Sequence, residues 1–169
     1  MYFSALPGTE RSNPAQTVVS RHLSGYYPYK MDSKYRVSIP VDWRPAPGET
    51  LRLLITKRLE LPVVSVLTDE DYEERLRIVD EAENMTPAKK RRIKGMLHSR
   101  CRSAAINEQG KLLVPKDWSE RVGIKAGEPV VLLGLGQHFE IWNQENHAEL
   151  EAREMESVKA ELEELGVLE

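Results

Sequence analysis

Two stretches of the chain, MDSKYRVSIPVDW (31–43) and INEQGKLLVPKDW (106–118), align at a constant offset of 75 residues. Asp32 falls on Asn107, Arg36 on Lys111, Val37 on Leu112 and Ile39 on Val114. Pro40, Asp42 and Trp43 fall on identical residues at Pro115, Asp117 and Trp118. Two further pairs keep the same order: GETLRLLI (48–55) resembles GEPVVLLG (127–134) at an offset of 79, and TDEDY (68–72) faces NQENH (143–147) at 75. Order across three segments implies a duplication. A unit of roughly 45 residues buries too little apolar surface to stand alone, so the copies must pair with each other or across chains.

Each copy reads as strand, turn, strand, short helix and further strands. In the first, Tyr27, Tyr29 and Met31 alternate with polar positions, Ser33-Lys34 make a turn, and Val37 and Ile39 resume the alternation. That is the pattern of a local hairpin. Gly110 stands in the turn of the second copy, whereas the first has no glycine there; glycine is the residue suited to positive φ. Pro40 and Pro115 stop the second strand, and VDW and KDW begin a short helical turn. LRLLI, VVSVL, VVLLGL and FEIW are apolar runs bounded by turn residues and predict buried strands. Between the copies, Thr68 with Asp71 caps a helix carrying Tyr72, Leu76, Val79 and Ala82 on one face. Thr86-Pro87 then opens a second helix, AKKRRIKGMLHSR. The segment HAELEAREMESVKAELEELG predicts a C-terminal helix with a partial stripe (Leu150, Met155 or Val158, Leu162, Leu165) and Gly166 as its stop. Its glutamates read as a solvated face.

The composition, 40% hydrophobic and 30% charged over 169 residues, is that of a soluble globular protein. No apolar run approaches the roughly 18 residues that span a bilayer. The N-terminal MYFSALPGTERSNPAQTVVS lacks the order of a secretory signal and reads as a loose arm. A single cysteine, Cys101, excludes an internal disulfide framework and a Cys-rich zinc site, so a cytoplasmic location is expected. The net charge of −3 conceals a polarity. Glu145–Glu169 carries −7 and the remainder +4, and Thr86–Arg102 holds seven bases with no acid. Because salt screens charges beyond about 10 Å, the local surplus decides whether a polyanion is attracted.

Enzyme constellations are missing from the sequence: no Gly-rich phosphate loop, no Cys-x-x-Cys, no His-Glu-x-x-His and no nucleophile elbow. His22, His98, His138 and His147 are scattered without metal-ligand spacing. Cys101, flanked by Arg100 and Arg102, reads as a small packed residue, since its neighbours on a strand point to the opposite face. Trp43 and Trp118, at equivalent corners, are either core residues or stacking platforms for bases, and core is the more frequent role of such a position. LGLGQHF reads as a tight hairpin rather than a phosphate loop, because no helix follows it. The basic residues Lys34, Arg36, Arg44, Lys111 and Lys116 gather around the two equivalent corners. Asp32, four residues before Arg36, can hold the guanidinium in one rotamer. From spacing alone, a surface ion pair worth about 0–1 kcal/mol and an arginine aimed at phosphate or guanine stand equally.

At DSKYRVSIP the sequence resembles the MraZ family of bacterial transcriptional regulators, whose units have the SpoVT-AbrB swapped-hairpin fold. Asp32, Ser33, Lys34, Arg36, Val37, Ile39 and Pro40, followed by Arg44, carry the resemblance, with NEQGKLLVP, EPVVLLGLGQHFEIWN and the basic KKRRIKGMLHSRCRSAAI beside them. It covers roughly Tyr27 to Ala152. The resemblance implies an α+β fold in which two tandem SpoVT-AbrB-like swapped-hairpin units pack as a pseudo-two-fold barrel, with connecting helices and a C-terminal helix. The expected divisions are an N-terminal arm (1–24), a first repeat (25–72), connecting helices (73–100), a second repeat (101–147) and an acidic helix (148–169). The family binds double-stranded DNA through an Asp-x-x-x-Arg motif, so Asp32 and Arg36 are implied to fill that role. Lys34, Arg44, Lys111 and Lys116 are the further DNA-binding candidates. The resemblance further implies ring-shaped homo-oligomers on short direct promoter repeats, usually repressing the cell-division and cell-wall gene cluster, in the cytoplasm at the nucleoid. No catalysis, cofactor, metal, membrane or small-molecule substrate is expected. Two departures mark this chain: Tyr35 stands where the family has glycine, and the second motif is Asn107-x-x-x-Lys111. The second copy is therefore expected to scaffold while the first reads DNA. An AbrB-like or antitoxin-type module that binds an acidic protein is the competing expectation.

Overall fold

Each apolar run forms a strand and each capped segment a helix. The structure is a computed structural model that describes residues 22–168, so residues 1–21 of the expected arm at 1–24 lie outside it. The elements are β1 (Leu23–Lys30), β2 (Arg36–Ser38), a 3-10 turn (Val41–Trp43), β3 (Leu51–Arg58), β4 (Leu61–Thr68), α1 (Asp69–Glu81), α2 (Pro87–Ser99), β5 (Cys101–Ala104), β6 (Lys111–Leu113), α3 (Lys116–Arg121), β7 (Pro129–Gly136), β8 (Phe139–Asn143) and α4 (Gln144–Leu165). The Thr68 hydroxyl accepts from the Asp71 N–H at 3.0 Å, and the Thr86 hydroxyl accepts from the Lys89 N–H at 3.1 Å, with Pro87 opening α2. Gly166 ends α4 in the left-handed conformation, φ 66°, where a side chain would clash with the carbonyl. Helices α1 and α4 begin a few residues inside the spans 25–72 and 101–147.

Strand pairing departs from the local hairpin expected at Tyr27–Ile39. Instead of folding back on β2, β1 pairs antiparallel with β7, from Leu23 opposite Gly136 to Lys30 opposite Pro129. β2 pairs with β6, setting Val37 against Leu112. β5, which lies at the position of β1 in the second copy, pairs with β3. The exchange is therefore reciprocal: each copy's first strand joins the sheet of the other. β4 and β8 meet in the middle, giving the order β1-β7-β8-β4-β3-β5 in one sheet and β2-β6 in a second. Alternation in sequence fixes which face of a strand is buried but says nothing about its partner. That is why the pattern supports either hairpin.

The core lies between these sheets. Met31, Val37, Ile39 and Trp43 of the first copy pack with Leu112, Val114, Trp118, Val130, Leu132 and Phe139 of the second. The Trp43 ring sits 5.1 Å from Phe139 and meets Tyr27 edge-on at 5.2 Å. Both tryptophans are thus core residues. Cys101 is only half-buried, against Leu54, Leu67 and Tyr72 beneath α1 and α2. LGLGQHF is a tight hairpin, with Leu135 N–H donating to the His138 carbonyl at 2.9 Å and Gly136 at φ 93°. β3 and β4 turn through Leu59 and Glu60, both at positive φ (48° and 71°), the left-handed pair that matches strand twist.

β1 can lie against β7 because Gly134 has no side chain. A Cβ there would stand 2.7 Å from the carbonyl carbon and oxygen of Leu23, which is main chain and cannot swing aside. Gly134→Ala is expected to lower stability by about 1–3 kcal/mol, the range for overpacking, read from urea unfolding. A parental midpoint would show that β1 does not depend on this approach.

Candidate nucleic-acid interface

The two repeated loops are built by the same hydrogen bonds. In the first, the Asp32 N–H donates to the Arg36 carbonyl at 2.9 Å, and Tyr35 N–H donates to the Asp32 carbonyl at 3.1 Å. In the second, Asn107 N–H donates to the Lys111 carbonyl and Gly110 N–H to the Asn107 carbonyl, both at 2.9 Å. One side-chain oxygen completes each loop. Asp32 Oδ1 accepts the N–H groups of Lys34 and Arg36 at 2.8 and 2.9 Å. Asn107 Oδ1 accepts those of Gln109 and Lys111, both at 2.9 Å. This is an Asx turn, which asparagine and aspartate make equally well. Tyr35 takes φ 60°, close to the 80° of Gly110. The loop geometry is therefore shared despite the missing glycine. A non-glycine residue in that region costs about 1–2 kcal/mol, which the packing of the half-buried Tyr35 ring against the core offsets.

Each loop is also clamped by the opposite copy. Ile39 N–H donates to the Gly110 carbonyl at 3.0 Å, and Val114 N–H donates to the Tyr35 carbonyl at 2.9 Å. Arg44 Nε donates to the Ile39 carbonyl at 3.0 Å, and its guanidinium covers Gly110 so closely that a Cβ there would lie 2.4 Å from Cζ. A side chain at Gly110 would displace the guanidinium from this position.

The second oxygen of Asp32 organises the charge. Oδ2 accepts from Arg36 Nε at 3.0 Å and lies 3.5 Å from Lys111 Nζ. The carboxylate thus holds the arginine of its own copy beside the lysine of the other. Partial burial pushes its pKa up. The Arg36 and Lys34 amides and the Arg36 guanidinium outweigh that and hold it at about 2. A depressed carboxylate contributes its stabilisation fully above its ordinary value of 3.8 and loses it as pH falls through about 2. It is therefore charged throughout the physiological range. Both partners are part-exposed (side chains 30% and 24%), so the pair is worth about 0–1 kcal/mol of stability. What it gives is orientation.

Of the sequence-derived candidates, Asp32, Arg36 and Lys111 form one cluster, and Arg44 lies against the second loop. Lys34 stands exposed on the first loop, its N–H bound to Asp32. Lys116 is exposed at the start of α3. Among the described residues, no hydrogen bond or ion pair joins it to the other five. Tyr35 and Asn107 are also loop builders, and their signal in the sequence is their register with Gly110 and Asp32. Among the described residues, no group of three or more His, Cys, Asp or Glu side chains is placed to hold a metal. No helix among them is long and apolar enough to cross a membrane.

No protein-family model matches the chain. Curated proteins do. A transcriptional regulator MraZ of Hydrogenovibrio crunogenus is 30% identical over 117 residues, covering 68% of this chain and 75% of the relative. The proteins of that name from Leuconostoc mesenteroides and Caldanaerobacter subterraneus are each 29% identical, over 127 and 125 residues. They cover 72% and 73% of this chain and 81% and 82% of their own lengths.

Asp32→Asn is expected to keep the loop, as Asn107 does, while releasing Arg36. Asp32→Ala loses both roles and is expected to cost about 1–2 kcal/mol through unsatisfied amides. Thermal unfolding, with the arginine Nε–H resonance as the readout of the bridge, checks both. An asparagine variant as destabilised as the alanine variant would contradict the division of labour between the two oxygens.

Proposed function

We propose a function for this chain from the premise that it belongs to the MraZ family of transcriptional regulators: it is a sequence-specific DNA-binding regulator, and Arg36 reads the DNA. The observation that carries this reading is the Asp32 carboxylate set between Arg36 and Lys111, which fixes cations from both copies at one place. A guanidinium with Nε held by Asp32 keeps its two terminal amino groups for a guanine edge or a phosphate. Lys111, a point charge, contacts phosphate but cannot make the planar bidentate contact. The first copy therefore reads sequence and the second supports it. Lys34, Arg44 and Lys116 supply phosphate contacts that set register.

The reciprocal strand exchange supports reading 25–72 and 101–147 as two SpoVT-AbrB-like repeats closed into a pseudo-two-fold barrel. Copies of the chain assemble into a ring that engages several short direct promoter repeats at once. Linkage raises effective concentration, so weak contacts of single protomers become useful affinity. The proposed outcome is repression of the cell-division and cell-wall gene cluster, at the nucleoid. No catalytic step or cofactor is assigned.

Arg36→Ala is expected to lose about 1–3 kcal/mol of base discrimination per engaged protomer without changing the oligomer. The measurement is a gel shift on the upstream region of the protein's own gene, beside light scattering. The logarithm of the binding constant should fall steeply with log salt, in proportion to the phosphates contacted. Equal affinity of variant and parent, or a flat salt dependence, would contradict the assignment.

A further inference from the structure

Helix α4 is anchored over its first half and open over its second. His147 and Leu150 are buried, Arg58 bridges Glu140 to Glu154, and Arg153 donates to the Leu59 carbonyl at 2.6 Å. Beyond Glu154 no residue of the helix is buried. Met155, Val158 and Leu165 are exposed by 48%, 40% and 69%. With Leu162 they fall at helical spacing along one face. An apolar stripe left open on a soluble protein marks an interaction surface.

Charge identifies the occupant. The end of α4 carries Glu161, Glu163 and Glu164, and its last turn has no base, the wrong sign for the negative end of a helix dipole. A second α4 laid alongside would bring like charges together. Helix α2 has the opposite imbalance. It buries no residue, exposes Met96 by 49%, and starts with Lys89, Lys90, Arg91 and Arg92 and no acid in its first turn, again the wrong sign for its end. Among the described residues, only Lys94 of the seven bases in 86–102 pairs with a carboxylate, Asp80 at 2.7 Å. No ion pair joins α2 to α4 within the chain among those residues.

We propose that the open half of α4 in one copy docks on α2 of a second copy, laying its apolar face by Met96 and its terminal glutamates against the exposed Lys89, Arg91 and Arg92. Each helix end then meets the charge its dipole requires. The contact is head-to-tail, because the two surfaces differ and every copy keeps one of each. Repetition of such a contact closes into a ring or runs on as a filament. This rests on the reading that the protein self-assembles, and it assigns the basic 86–102 stretch to a neighbouring subunit rather than to DNA.

The test is sedimentation velocity without DNA on the full chain and on two charge-swapped variants, Arg91→Glu with Arg92→Glu, and Glu161→Lys with Glu164→Lys. All four residues are exposed, and circular dichroism confirms folding. Each variant alone is expected to lose the assembled mass. An equimolar mixture is expected to regain it, since the acidic α4 of the first then meets the basic α2 of the second, and the reverse. An assembled parent whose variants keep its mass, or whose folded variants stay apart on mixing, overturns the docking alone. A monomeric parent overturns self-assembly itself, and the docking with it.

Discussion

Two amide hydrogen bonds tie each loop to the opposite copy: Ile39 N–H to the Gly110 carbonyl, and Val114 N–H to the Tyr35 carbonyl. Each crosses from the residue just after β2 or β6 of one copy to the loop of the other. With β2 on β6 and β1 on β7, they make the copies inseparable, because neither loop has a complete set of backbone partners without the opposite copy. The cations on the loops inherit their positions from that exchange. Fold and site are one construction here, since the bonds that close the core also set Arg36 next to Lys111.

The duplicated motif is asymmetric for a physical reason. One oxygen suffices to build an Asx turn, so Asn107 closes the second loop as well as Asp32 closes the first. A second, charged oxygen is needed only where a guanidinium has to be aimed. Asp32 supplies it, and Lys111 approaches that same oxygen from the other copy. The charges of the site are thus pooled between two loops, which the overall −3 of the chain does not reveal.

Much of this architecture is legible in the sequence because it rests on local chemistry. The caps at Thr68 and Thr86, the stop at Gly166, the tight turn at Gly136 and the buried strands each follow from a few neighbouring residues. What is not legible is long-range choice. The alternation through Tyr27–Met31 and Val37–Ile39 is satisfied by a local hairpin; the exchange is implied by the family resemblance alone, and the sheet order is consistent with it. Tyr35 at positive φ contradicts its own preference and is held there by packing, so only register with Gly110 gives it away. Arg44, one of the bases gathered at the two corners, lies across the second loop, which its place in the sequence does not reveal. Glu140, an acid within the apolar FEIW, belongs to a buried network that the run's apolar reading passes over. It is 2% exposed and accepts from Arg58 at 2.6 Å and from the Trp142 indole at 2.8 Å, tying α4 to the sheet.

The central claim is that Arg36, aimed by Asp32, reads a base. The most direct measurement crosses Arg36→Ala with single base-pair changes along the promoter repeat, taking binding constants at one salt concentration. Loss of discrimination at one position, and retention elsewhere, is the predicted result, since a bidentate arginine contact acts on one base pair. Discrimination at every position equal to that of the parent would contradict the claim.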